Sequence, residues 1–148
     1  EKGLVLKGSL NHADSMKTGL SYGYFSKDRQ KRHLVGPYGI LGLSRDFVLL
    51  VEFDFQNTMP EGAESYWGWV NYFKLDCEVY KGVHLYASNE ISRLNFGRPQ
   101  THAHGYGLGA QWFPRPHFEI QAEWQRLKIE AQWDQYTDMA FLLLHYYF

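Results

Sequence analysis

The last ten residues, 139–148, read MAFLLLHYYF and decide how the rest of the chain is interpreted. Counted back from the terminal Phe148, alternate positions are apolar or aromatic, namely Tyr146, Leu144, Leu142 and Ala140. A strand places alternate residues on one face, so this segment is predicted to be a strand with one apolar face. Such a strand can end a soluble sandwich or face lipid, and the remaining sequence has to decide between the two.

The composition favours a membrane surface. The chain has 148 residues, which fits one domain. Aromatic residues make up 18% of it, with 14 glycines, a mixture typical of strands that end in aromatic belts. The formal net charge of −1 argues against nucleic-acid binding. The single cysteine, Cys77, excludes an internal disulfide, and no apolar run reaches the roughly 18 residues of a transmembrane helix.

Period-two alternation recurs along the chain and predicts nine strands. The clearest segment is 47–56, in which Val51 and Phe53 alternate with Glu52 and Asp54. The nine segments are 3–11, 18–26, 34–44, 47–56, 66–79, 83–91, 105–113, 117–127 and 139–148. Short links (12–17, 44–46, 80–82 and 114–116) alternate with longer polar ones (27–33, 57–65, 93–103 and 129–138). That alternation is typical of a membrane barrel with tight turns on one side and longer loops on the other.

The tight turns also predict the register of two hairpins, because turn length fixes which residues face each other. Around 80–82 the predicted pairs are Cys77 with Leu85 and Glu78 with His84. Around 114–116 they are Phe113 with His117, Trp112 with Phe118, and Gln111 with Glu119. In both hairpins apolar residues meet apolar ones and polar residues meet polar ones.

The alternating C-terminal strand that ends in an aromatic residue resembles the closing strand of bacterial outer-membrane β-barrels, the porin-like superfamily. The resemblance implies an all-β, antiparallel up-and-down transmembrane β-barrel of eight or more strands in the bacterial outer membrane. It further implies that Phe148, Tyr146 and Leu144 form the signal read by the barrel-assembly machinery. It identifies no single family.

In a membrane barrel the apolar face meets lipid and the polar face lines the lumen. The large aromatics lie mostly near the predicted strand ends, as in aromatic girdles, whereas the other face mixes glycine and serine with charged residues. The residues predicted to face lipid are Leu49, Val51, Phe53, Leu108, Ile120 and Leu144. The polar residues predicted to face the lumen are Glu52, Asp54, Lys74, Asp76, Glu78, His84, Glu90, Glu119, Glu123 and His145.

An odd strand count raises a question of completeness, because bacterial single-chain barrels have even numbers of strands. Either one of the two weakest segments, 3–11 or 34–44, is not a strand and the barrel has eight, or the chain is the C-terminal part of a larger barrel. In the second case it pairs with further strands of its own protein or of a partner. No signal peptide is visible in residues 1–10, so we expect a mature form or a piece of a longer protein.

The acid-rich lumen predicts a pore or a scaffold that sheaths a partner. Its charges can form an ion-paired interior, with Lys74 bridging to Asp76 or Glu90, or can favour cations or a basic partner. Two alternatives remain: a soluble β-barrel that binds a small apolar ligand, and an outer-membrane enzyme. We expect no enzyme activity, because no Gly-x-Ser-x-Gly or comparable nucleophile motif is present, and no cofactor, because no haem motif is present.

Two further groups of residues were weighed. His102 and His104 share a face and could hold a metal with a third ligand, but no cysteine or carboxylate cluster lies beside them, so no metal site is predicted. The basic run 27–33 is either a solvated loop tip or a contact for lipopolysaccharide phosphates. The residues of that contact are Lys27, Arg29, Lys31 and Arg32.

Overall fold

The computed structural model describes residues 2–130 and 135–147. They form one nine-stranded antiparallel sheet in which each strand pairs with its neighbours in sequence. The strands are β1 (Lys2–Ala13), β2 (Met16–Lys27), β3 (Gln30–Gly42), β4 (Phe47–Pro60), β5 (Tyr66–Tyr80), β6 (Val83–Arg93), β7 (His102–Arg115), β8 (Phe118–Ile129) and β9 (Thr137–Tyr146). A 3-10 turn, Pro99–Thr101, precedes β7. The predicted all-β class, up-and-down order and nine strands are confirmed, and reading either weak segment as a non-strand is wrong.

β1 and β9 are the two edges of the sheet. Within the described residues no pairing joins them, so these nine strands do not close into a barrel by themselves. Because every pair of neighbours is antiparallel, β1 and β9 run in the same direction. The two edges therefore cannot form an antiparallel pair with each other, whatever the curvature of the sheet.

The strands are longer and one connection is much shorter than predicted. The predicted loop 27–33 is a two-residue hairpin in which Lys27 pairs with Gln30 and Arg29 takes a left-handed φ of 62°. The loop prediction was wrong because charged residues at a strand end remain solvated and do not interrupt the ladder. The strict alternation of short and long links fails at this point. Elsewhere the longer links 61–65 and 94–101 lie opposite the tight turns 14–15, 81–82 and 116–117.

One predicted hairpin register is confirmed and the other is wrong. Cys77 pairs with Leu85 and Glu78 with His84, as predicted. At the other hairpin the observed pairs are Trp112 with Ile120, Gln111 with Gln121, and Arg115 with Phe118. β7 continues through Pro114, which cannot donate a ladder hydrogen bond, and the register shifts there as a bulge. The shift moves the pairing by two residues, so each side chain keeps its predicted face.

Cross-strand partners share a face, and following them across the sheet separates an apolar face from a polar face. The apolar face consists of every second residue of each strand, and Leu6, Phe53 and Leu108 belong to it. The polar face carries those that include Lys7, Asp54 and Glu123. Each face name is kept below for all residues of that set.

Burial runs opposite to that of a soluble domain. Among the described residues the most buried side chains are polar apart from Tyr86, namely Gln56, Thr58, Asn71, Ser92 and Glu119. The apolar face is open, with Leu10 and Leu142 each 69% exposed and Leu144 63% exposed. Apart from Asn71, which lies on the apolar face, these buried side chains belong to the polar face, which indicates that the sheet curves toward its polar face. No hydrophobic core forms among the described residues.

Two tyrosines on the polar face lie flat over glycines of the neighbouring strand. The ring of Tyr86 in β6 covers Gly109 in β7, and the ring of Tyr38 in β3 covers Gly19 in β2, where an added Cβ would overlap each ring. Each ring also carries a lysine. The Lys74 Nζ lies 3.9 Å from the Tyr86 ring centroid, and the Lys7 Nζ lies 4.1 Å from that of Tyr38. Glycine is required at these strand positions because the ring occupies the space of a side chain.

We expect Gly109→Ala to lower the free energy of unfolding by about 1–3 kcal/mol, because the new methyl group displaces the Tyr86 ring. Gly8→Ala is the matched control, since a Cβ there meets nothing within 4 Å, and it should change stability by less than ~0.5 kcal/mol. Urea unfolding of the detergent-folded protein measures both. In the double variant with Tyr86→Ala the cost of Gly109→Ala should disappear, and full additivity would contradict the steric explanation.

Candidate functional site

The register brings the residues predicted for the lumen together on one face of the sheet. All ten lie on the polar face, at positions in β4, β5, β6, β8 and β9. The six residues predicted to meet lipid lie on the apolar face. Whether the two faces meet water and lipid remains a prediction, and the side-chain contacts described next define what the polar face can do.

The centre of the polar face is a hydrogen-bond network around Glu123. Tyr86 Oη donates to Glu123 Oε2 over 2.8 Å, and Gln125 Nε2 donates to Glu123 Oε1 over 2.8 Å. Gln121 Nε2 donates to Tyr86 Oη over 2.6 Å and to Glu123 Oε2 over 3.2 Å. The network crosses from β6 to β8 because the intervening strand has glycines, Gly107 and Gly109, where side chains would block it. Glu123 is thus held rigidly by donors on two strands.

A second cluster lies next to it on β5 and β6. The Lys74 Nζ is 3.7 Å from Asp76 Oδ2, and Asp76 Oδ1 is 2.7 Å from Nδ1 of His84. The lysine therefore lies between the Tyr86 ring and the Asp76 carboxylate, and the ion pair expected with Asp76 is present. Glu78 has a different role, because its Oε1 accepts a 2.8 Å hydrogen bond from the Gly82 backbone N–H and secures the turn.

The β1–β4 half of the polar face is built around Asp54. Its carboxylate occupies the space that a side chain at Gly36 would need, and Ser21 Oγ donates to the Gly36 carbonyl over 3.0 Å. Glu52 lies two positions away on the same strand, between Tyr38 of β3 and Tyr72 of β5. The outlying acid is Glu90, which is exposed and pairs with Tyr72 and Gly105.

Glu119 is the most buried carboxylate of the face and ties three chain segments together at the end that carries the 116–117 turn. It is 3% exposed. Gln111 Nε2 of β7 donates to its Oε1 over 2.5 Å, and His145 Nδ1 of β9 lies 3.3 Å from its Oε2. The Tyr147 hydroxyl also donates to Glu119 Oε2, and this bond raises the pKa of Tyr147, so the phenol remains a donor.

The two histidines considered for a metal do not converge on a third ligand. His102 Nδ1 lies 3.4 Å from Glu130 Oε1, whereas the His104 ring packs on Tyr106 with centroids 4.2 Å apart. Within residues 2–130 and 135–147 no group of three or more His, Cys, Asp or Glu side chains is arranged to hold a metal ion.

The residues of the basic run are divided between the two faces of the sheet and the turn. Lys27 and Arg32 lie on the polar face, Lys31 on the apolar face, and Arg29 in the turn between them. Arg32 lies 5.3 Å above the Phe25 ring. The turn borders a cavity of about 880 Å³ lined by residues that include Lys2, Lys27, Arg29 and Lys31. Of the proposed assembly signal, Leu144 and Tyr146 lie on the apolar face, and Phe148 is outside the described residues.

The hydrogen bonds by which Tyr86, Gln121 and Gln125 hold Glu123 in place were not predicted from the sequence. A signal was available, because Tyr86 stands on the polar face of one strand while glycines alternate on the next strand, in 105–109. The pairing that turns this pattern into a contact depends on the register of three strands, including the bulge at Pro114.

Comparison of the chain with protein-family models, curated proteins and solved structures found no match. None of the described segments is a helix with the length and apolar character needed to cross a bilayer.

We expect Glu119→Gln to lower the free energy of unfolding by roughly 1–3 kcal/mol, because the new amide group faces donors that need an acceptor. Glu90→Gln, on the same face but exposed and without a hydrogen bond to any residue that the structure describes, is the control and should change stability by less than ~0.5 kcal/mol. Chemical denaturation read by tryptophan fluorescence compares them. Equal effects of the two substitutions would show that the Glu119 contacts do not hold β7, β8 and the C-terminal segment together.

Proposed function

We propose that this chain forms part of the wall of a transmembrane β-barrel in the bacterial outer membrane, with the polar face toward a water-filled pore and the apolar face toward lipid. The observation that carries the proposal is the inverted burial. Polar side chains such as Gln56, Thr58 and Glu119 are buried, while Leu10, Leu108 and Leu144 of the apolar face are more than half exposed. A soluble domain needs a second layer over its apolar face, and exposed patches of this size mark membrane or protein contacts.

The arrangement of residues within the apolar face adds support. On β7, β8 and β9 aliphatic residues occupy the middle positions, and aromatic residues stand at one or both ends. The rows are Trp112, Ala110, Leu108, Tyr106; Phe118, Ile120, Ala122, Trp124; and Tyr146, Leu144, Leu142, Ala140. Six residue steps of a strand span about 20 Å, close to the apolar band of an outer-membrane barrel once strand-end aromatics are included.

Both edges of the sheet, β1 and β9, are unpaired within the described residues. In hydrocarbon each unsatisfied backbone group costs several kcal/mol, so neither β1 nor β9 can stay unpaired there. A second copy inserted in the same direction offers only a parallel partner, because β1 and β9 run the same way. We therefore propose that an odd number of antiparallel strands, from the same protein or a partner chain, completes an even-stranded barrel.

The polar face fits a pore better than a sheath. Its carboxylates outnumber its cations, and several of them, such as Glu123 and Glu119, already accept hydrogen bonds from neighbouring strands. Because their acceptors are already used, they form a fixed, acid-rich wall that favours small cations over anions rather than a docking surface for a basic partner. A sheath around a protein partner is the alternative within this class. The barrel-assembly machinery would recognise the C-terminal strand.

The other two classes have less support. A soluble barrel that binds an apolar ligand needs its apolar side chains on the enclosed face, and here the crowded face is the polar one. An outer-membrane enzyme of this kind needs a nucleophile, a base and a group that orients the base; the exposed pair of His12 Nε2 and Thr18 Oγ1, 2.6 Å apart, has no carboxylate bonded to the His12 ring among the described residues.

Spin labels test the orientation of the two faces. In a Cys77→Ser background, labels at Leu108 and Leu144 should collide more with oxygen than with a nickel chelate, because oxygen partitions into lipid. A label at Glu90, on the polar face, should show the reverse preference. The folded protein in lipid vesicles is measured by electron paramagnetic resonance, and the opposite pattern at both faces would contradict a membrane barrel.

Conductance tests the acid-rich wall. In planar bilayers the assembled protein should prefer potassium over chloride, and Glu52→Gln with Glu90→Gln should lower this ratio by up to about four-fold per carboxylate, as for a unit charge near 5 Å in water. The control is Glu61→Gln with Glu64→Gln, which removes the same charge from the β4–β5 connection. An unchanged ratio in the first variant, or an equal fall in both, would contradict a selective wall.

A further inference from the structure

The charged residues of the apolar face are not scattered. Across the strands, nearly all of them lie at the long-loop end, which is the end of the sheet that carries the β4–β5, β6–β7 and β8–β9 connections. The cations there are Lys2, Lys31, Arg93, Arg126 and Lys128, and the acid is Asp138. At the opposite end the bulge brings one cation, Arg115, to this face, where it lies 5.5 Å above the Phe118 ring. The long-loop cations are called the cationic belt below.

The belt begins where the exposed apolar surface ends. On β8 the exposed Trp124 is followed two positions later by Arg126 and then by Lys128 on the same face. On β7 Tyr106 is followed toward the loop by His104, which pairs with Lys128. Aromatic residues at a membrane surface lie at the headgroup level, so the belt would lie at or just beyond that level.

The belt cations on β8 make no ion pair with any of the residues that the structure describes. The Arg126 guanidinium carbon lies 5.3 Å from the Tyr136 ring centroid, and among the described residues it has no ion pair with its cross-strand partner Asp138. Lys128 has no recorded hydrogen bond or ion pair with any residue that the structure describes. The nearby acid Glu130 contacts His102. Arg93 donates through Nη2 to the Phe96 carbonyl, but its buried Nε has no hydrogen-bond partner among the described residues.

We propose that the cationic belt binds the phosphate groups of lipid headgroups and thereby fixes which end of the sheet lies at that membrane surface. The inference rests on the proposed function, since it needs the apolar face in lipid. Cations that border an exposed apolar surface have two neighbours in a bilayer, acyl chains below and phosphates above, and guanidinium groups bind phosphate oxygens in pairs. Of the basic run 27–33, Lys31 belongs to the belt, whereas Lys27 and Arg32 lie on the polar face.

Tryptophan quenching by brominated lipids separates the two proposals. Two versions of the assembled barrel, each with a single tryptophan, are reconstituted into phosphatidylcholine vesicles. One keeps Trp124 beside the belt, and the other keeps Trp112 at the opposite end. Brominated phosphatidylcholine should quench both, because both indoles are exposed on the apolar face. At the same low fraction, brominated phosphatidylglycerol should quench Trp124 more strongly than brominated phosphatidylcholine does, because each belt cation in reach enriches the anionic lipid locally by about five-fold. At Trp112 the difference between the two lipids should be smaller.

The variant Arg126→Gln with Lys128→Gln should abolish the preference at Trp124 and leave quenching by phosphatidylcholine unchanged. Arg45→Gln with Lys81→Gln, which removes the same charge from turns at the other end, should keep it. Equal quenching of Trp124 by both lipids, or equal loss in both variants, would overturn the belt while leaving the membrane wall in place. Failure of brominated phosphatidylcholine to quench either tryptophan would overturn the proposed function itself.

Discussion

The whole structure depends on one constraint: a sheet of one layer has to satisfy its side chains without a hydrophobic core. A sheet normally buries its apolar face against a second layer. In this chain the crowded face carries carboxylates, amides and hydroxyls, and the apolar face is open. Burial of polar groups costs free energy unless they are hydrogen-bonded, so the polar face is stable only because its members bond to one another across strands.

Glycine makes those cross-strand bonds geometrically possible. Neighbouring strands lie about 4.8 Å apart, so side chains two strands away meet only if the strand between them leaves space. Gly107 and Gly109 leave that space for Tyr86 and Glu123, and Gly36 leaves it for Asp54. The same tyrosine rings contact Lys74, which lies beside Asp76, and Lys7, which interacts electrostatically with Asp54 and opposes the repulsion between Asp54 and Glu52. The glycines of the chain are thus part of the polar network, although they contribute no side chain to it.

The sequence predicts the faces of this sheet far better than its turns. Alternation has a period of two, so the local sequence predicts that Phe53 lies on the apolar face and Glu123 on the polar face. These assignments remain correct when the predicted register is wrong by two residues. The 27–33 hairpin was missed because its charged residues look like a loop. The bulge at Pro114 was not predicted because its position depends on which interstrand hydrogen bond is lost at the proline. The Glu123 and Glu119 networks could not be predicted, since they join residues up to 37 positions apart whose proximity depends on several registers together.

The edge strands β1 and β9 run in the same direction, and this limits how further strands can pair with the sheet. An up-and-down sheet with an odd number of strands always has parallel edges, and hydrocarbon does not tolerate an open one. The edge strand β9 is apolar on both faces, with Leu142 and Leu144 on one and Phe141 and Leu143 on the other, and all four are exposed. A strand of that kind at an open edge is prone to aggregate in water, because it offers both backbone groups and apolar side chains to any passing strand. The edge that is least suited to water is therefore the one whose pairing with a further strand would contribute most to the stability of the wall.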